Sequence, residues 1–298
     1  MKVLDTLSSA TAESYLDNQL FAFHKAGPFF ESNTNAILQH ARIDLLRVLV
    51  HAHGLIYCHA YTVPLPKPEE MFRQGLGPGE TDTILVNAQL DYGDQKMFSH
   101  LSIMCVQLRA MLLEDPSTVV VHFFAGMENG GTTSWEGPEG LLRSLIFQTA
   151  RALDAIDASK LDFLFRPETW QDLHFDSLLK TLRTLIGRFP EDKTVVILLD
   201  HVHVFFGSEN WAMGLNEIIL RLSRPWYGRV QRAALKLLVS TSAKCPVFFD
   251  WMFETDPRMV MGTFLRNKAG PGVMVRGRKK AVAYEPAGCG WDESAWVG

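Results

Sequence analysis

The chain has 298 residues, of which 47% are hydrophobic and 21% charged, with a formal net charge of −4. That is ordinary globular composition with ample apolar material for a large core, and it lacks the basic excess of a nucleic-acid binder. The four cysteines (Cys58, Cys105, Cys245 and Cys289) are scattered without a CxxC pair, so neither a zinc cage nor a disulfide framework is expected. The first residues, MKVLDTLSSATAESYLDNQL, have no unbroken apolar run of the signal-peptide kind. Leu45 to Tyr57 is interrupted by Arg47, His51 and His53 and is too short to span a bilayer. The expectation is a soluble, cytoplasmic protein without a membrane span.

Residues 1–61 read as a helical N-terminal region, with Ile43, Leu46, Val50 and Ile56 near helical spacing. Val63-Pro64-Leu65-Pro66-Lys67-Pro68 cannot be a helix interior or a central strand, because each proline removes a donor and restricts its neighbour. With Gly75, Gly77, Pro78 and Gly79 it marks a linker over 62–82. Beyond it, apolar strands and helices alternate. Strands are expected at 83–87, 118–124, 194–200 and 235–241. Helices are expected at 96–113, 138–153, 175–189 and 209–222, with a glycine-rich loop between Gly126 and Gly137. Such alternation implies an α/β domain over 83–268, a parallel sheet covered on both faces. Ligands of such sheets sit at the carboxyl ends of the strands, which points to the turns after Asn87, Phe124, Asp200 and Thr241. Residues 269–298, rich in glycine and containing the basic run Arg276, Arg278, Lys279 and Lys280, read as a flexible tail.

Three ordered segments carry a resemblance. Phe123-Phe124-Ala125-Gly126 is followed, after a gap, by Glu139-Gly140-Leu141-Leu142-Arg143-Ser144-Leu145-Ile146-Phe147-Gln148. Val196-Ile197-Leu198-Leu199-Asp200 is similar to a Walker B strand, and Leu237-Leu238-Val239-Ser240-Thr241-Ser242 to a sensor strand. Together they resemble a fungal NACHT or related STAND-type P-loop NTPase domain. The resemblance implies a P-loop NTPase-like parallel sheet flanked by helices, with the N-terminal helical segment before it. It also implies ATP or GTP with magnesium as the ligand and a nucleotide-controlled switch as the activity.

The residues that should hold the nucleotide depart from that pattern. A phosphate loop needs glycines whose backbone N–H groups surround the phosphates, a lysine that contacts them and a Ser or Thr that holds magnesium. If Lys96 stands at the lysine, Leu90 and Gln95 occupy the glycine positions and Met97 the hydroxyl position, while Gly93 is unmatched. Asp91 and Asp94 bring negative charge toward a triphosphate. Asp200 matches the residue of the magnesium shell, but His203 and Val204 stand where further acids would polarise water. Ser242 or Ala243 replaces the sensor arginine, with Lys244 beyond. The expectation is a catalytically impaired switch or scaffold domain that acts on an unidentified protein partner, and a weakly active NTPase using Lys96 and Asp200 is the alternative. Winged-helix and sensing regions are not expected in the short stretch after Ser242.

Other clusters invite a chemical reading. In an extended segment His201 and His203 point one way and Asp200 and Val202 the other, so the histidines could share a metal, with His122 nearby, as in a metal-dependent hydrolase. His51, His53, Cys58 and His59 form a second histidine and cysteine group. Cys105 lies in an apolar helix pattern, Cys245 stands alone beside Lys244, and Ser144 lacks the glycine-flanked elbow of a serine hydrolase.

Overall fold

A computed structural model of the chain describes residues 44, 45, 47, 48, 82–89, 100–127, 136–157, 174–223, 233–241, 259–267, 270–276 and 282–284. Among the described residues, seven strands form one sheet: β1 (Asp82–Gln89), β2 (Thr118–Phe124), β3 (Thr194–Asp200), β4 (Ala234–Thr241), β5 (Met259–Asn267), β6 (Gly270–Arg276) and β7 (Val282–Tyr284). The α-helices that accompany them are α1 (His100–Leu112), α2 (Gly137–Asp157), α3 (Phe175–Ile186) and α4 (Glu209–Ser223). The sheet order is β2-β3-β4-β1-β5-β6-β7. The pairings β2·β3, β3·β4, β4·β1 and β1·β5 are parallel, whereas β5·β6 and β6·β7 are antiparallel. The α/β architecture with a parallel sheet flanked by helices is thus as the alternation predicts. The stretch read as a tail contributes β6 and β7 to the edge of the sheet.

Both faces of the parallel strands are apolar, and position parity divides them. Odd positions such as Leu85, Val121, Phe123, Ile197, Leu199 and Val239 share a cluster with Leu141, Leu145, Leu178, Leu182, Leu215 and Ile219 from α2, α3 and α4. Even positions such as Ile84, Val86, Val120, Phe124, Leu198 and Leu238 share a second cluster with Leu101, Met104, Cys105 and Leu108 of α1. The two faces follow from chain direction. From β1 the chain crosses to the far edge at β2, then returns through β3 and β4 and steps over β1 to β5. Right-handed crossovers taken in opposite directions put their helices on opposite faces. Leu45 and Val48, both helical, join the α1 cluster, so this piece of the N-terminal region packs against the sheet domain.

Local polar bonds close the ends of these elements. Asp115 accepts from the Ser117 backbone N–H at 2.9 Å and from the hydroxyls of Ser117 and Thr118, which turns the chain from α1 into β2. These donors hold its carboxyl below the usual range. Thr83 of β1 and Ser223 of α4 share a buried hydrogen bond of 2.7 Å. The outer edge at β2 is covered by a side chain. Gln148 of α2 donates to the His122 carbonyl at 2.7 Å and accepts from the His122 N–H at 3.1 Å. The amide therefore satisfies the two backbone groups that an edge strand leaves open.

Candidate functional site

The chain leaves β1 toward β2 and leaves its neighbour β4 in the opposite direction toward β5, so the carboxyl ends of β1 and β4, with β3 beside them, form the topological switch point where open α/β sheets take ligands. Leu199 pairs with Val239, which puts Asp200 and Ser240 next along their strands, and Phe124 of β2 pairs with Asp200. All three lie at even positions, on the α1 side. Asp200 is the acid with which the apolar run of β3 ends, and only 2% of it is exposed.

The surroundings of Asp200 are protein hydroxyls and backbone. Ser240 donates its hydroxyl to Asp200 Oδ1. Ser102, from the first turn of α1, hydrogen-bonds the same carboxyl, and the His201 backbone N–H is directed to it as well. That N–H also lies 3.4 Å from Ser240 Oγ. Cys105, one turn beyond Ser102, hydrogen-bonds Ser240. Burial dominates the titration of Asp200 and pushes its pKa from 3.8 up to about 6, despite three hydrogen bonds that favour the ionised form. Burial, with the neighbouring Asp200 charge, also pushes the Cys105 thiol well above its ordinary range. A thiol so protonated is inert as a nucleophile.

The segment after Asp200 differs from the extended form expected from sequence. His201 takes a left-handed conformation, φ 62° and ψ 33°, and Val202–Gly207 forms a 3-10 helix. His201 is the sole non-glycine residue with positive φ among the described residues. The turn nevertheless brings His201 and His203 together, with ring centroids 4.1 Å apart. Burial pushes both imidazoles down to about 4, and the proximity of His201 adds to the effect on His203. Both are therefore neutral at pH 7. His201 Nδ1 is buried without a hydrogen-bond partner among the described residues. Phe205 of the 3-10 helix packs between Phe123 at 6.4 Å and Trp211 at 6.1 Å, fixing this turn on the α2–α4 side.

Asp200 and His203 are thus brought to one strand end. Gly93, Gln95, Lys96, Met97, Ser242 and Lys244 lie outside the described residues, as do His51, His53, Cys58, His59 and Cys245. His122 does not complete a metal set with His201 and His203: among the described residues no group of three His, Cys, Asp or Glu could hold a metal ion. Its ring instead packs 5.3 Å from that of Phe124. Sequence reasoning does not single out Ser102, Cys105 or Ser240 as partners of Asp200. The one signal is a polar residue in an otherwise apolar strand or helix face. Among the described residues no helix is long and apolar enough to cross a membrane. Comparison of the chain with family models, curated proteins and solved structures yields no match.

Proposed function

We propose that this chain is a catalytically impaired NACHT/STAND-like nucleotide-switch or scaffold domain, regulatory in role and acting through a protein partner. The observation that carries the reading is the state of Asp200. It ends the strand two places from β1, where the acid of a nucleotide site belongs, but it is 2% exposed and bonded by Ser102 and Ser240. A carboxylate that organises a hydrated magnesium ion must present oxygens to water. Here those oxygens face protein hydroxyls. His203, where an acid would polarise the attacking water, is neutral and has a pKa of about 4, which makes it a weak base. In the sequence, Leu90, Gln95 and Met97 weaken the phosphate cradle in the same direction. A domain that does not turn over its ligand acts by what it binds, so a partner surface is part of the proposal.

The test is titration of the purified chain with fluorescent ATP and GTP analogues, with and without magnesium, alongside multiple-turnover phosphate release. The expected result is no turnover above background in either the wild type or Asp200→Ala. Turnover in the wild type that Asp200→Ala abolishes would overturn the proposal in favour of a weakly active NTPase. Magnesium-dependent binding lost in Lys96→Ala without turnover would specify a nucleotide-holding switch, and absence of binding a scaffold.

A further inference from the structure

Ser102 and Cys105 stand three residues apart on α1 and so share one helical face. Both are fully buried, with 0% exposure, and both turn to the polar end of the sheet. Ser102 bonds Asp200, Cys105 bonds Ser240, and Ser240 donates to Asp200. Ser240 is itself fully buried. One small network therefore joins the first two turns of α1 to the ends of β3 and β4, away from water.

We infer that Asp200 is a fastener that holds α1 on the sheet in a single state, independent of magnesium or nucleotide. This rests on the reading of the chain as an impaired nucleotide-switch domain. Helix α1 is the element directly after the stretch containing Lys96, so its seating decides whether that end of the domain can change. Hydrogen bonds to a carboxylate in a buried setting are among the stronger ones, and separating their partners strands a charge. Helix α1 cannot lift from β3 without taking the Ser102 bond away from a buried carboxylate and drawing water toward the apolar cluster around Met104 and Leu198. With Ser102, Ser240 and the His201 N–H on the buried carboxyl, an arriving magnesium ion has to compete with them for its oxygens. Fastening and magnesium binding are therefore competing uses of one carboxylate.

The experiment is hydrogen exchange on the full chain, comparing amides of α1 with those of α3 on the opposite face. In the wild type, α1 exchange should be the same in buffer, in magnesium chloride and in magnesium chloride with ATP. Ser102→Ala should speed α1 amides about tenfold, the loss of one hydrogen bond to a charged group, while α3 amides stay near wild-type rates. Ser102→Thr, which keeps the hydroxyl, should stay closer to the wild type than Ser102→Ala does. Ser240→Ala should also loosen α1 and provides a second route if Ser102→Ala does not fold. Equal acceleration of α1 and α3, unchanged α1 exchange in both alanine variants, or a magnesium- or ATP-dependent change of α1 in the wild type would each overturn the inference. Phosphate release judges the impaired-catalysis reading separately, because turnover can be absent whether or not Ser102 fastens the helix.

Discussion

Asp200→Asn should change how stability varies with pH. The folded protein binds the Asp200 proton more tightly than the unfolded chain, since burial raises its pKa from 3.8 to about 6. The stability contributed by Asp200 is therefore complete below about pH 3.8 and is lost as pH rises through about 6. The whole shift corresponds to about 3 kcal/mol, of which about 2 kcal/mol falls between about pH 4.5 and 7.5. Asparagine keeps the volume and can still exchange hydrogen bonds with Ser102 and Ser240, but it does not ionise. The opposite trend of His201 and His203, whose lowered pKa values make stability fall as pH drops from about 6.5 toward 4, is common to both proteins and cancels. Urea unfolding of wild type and Asp200→Asn across this range should show the variant gaining on the wild type by about 2 kcal/mol as pH rises. A difference that stays constant with pH, or one that falls as pH rises, would refute the argument that desolvation governs this carboxyl.

Two packing contacts give further predictions. A Cβ at Gly214 would lie 2.6 Å from Pro138 Cγ and 2.8 Å from Pro138 Cβ, so Gly214→Ala forces α4 from the start of α2. Overpacking of about 1–3 kcal/mol, less about 1 kcal/mol of gained helix propensity, should lower the thermal midpoint; an unchanged or raised midpoint would show that this contact yields freely. Gln148→Leu removes both bonds to the His122 backbone and should cost about 2–4 kcal/mol in chemical unfolding. Gln148→Glu, which keeps an acceptor for the N–H and loses the donor for the carbonyl, should fall between the two, and equal stability of all three proteins would remove the edge-covering role.

The fold was legible where strands are buried on both faces. Val195 to Leu199 is an unbroken apolar run, and β2 and β3 have the bounds read from sequence. Burial on both sides keeps polar residues few inside such strands, so the apolar run marks the limits. Helix α1 is described over His100–Leu112, within the expected 96–113. Strands β5 to β7 were missed for the converse reason. Gly262, Gly270, Pro271 and Gly272 dilute the apolar pattern, and β6 and β7 are defined by antiparallel pairing rather than by a strong run of their own.

At the site, Asp200 was legible and its role was not. An acid ending an apolar strand reads equally as a magnesium ligand or as a structural carboxylate, and the choice depends on what arrives from other elements. The deciding groups are the hydroxyls of Ser102 and Ser240, 98 and 40 positions from Asp200 in the sequence. Ser240 sits at an even strand position and Ser102 on α1, and the fold turns them toward one another, a fact that requires the sheet order as well as the strand pattern. His201 is the other illegible element. Its left-handed backbone is uncommon outside glycine, and it converts an expected extended run into a 3-10 turn. That turn aims the His201 N–H at the carboxyl, sets the His201 ring against that of His203 at a tilt and closes the strand end. The same turn therefore supplies a donor for Asp200 and sets two neutral imidazoles beside that strand end, which on the proposed reading is where an NTPase would carry an accessible acid.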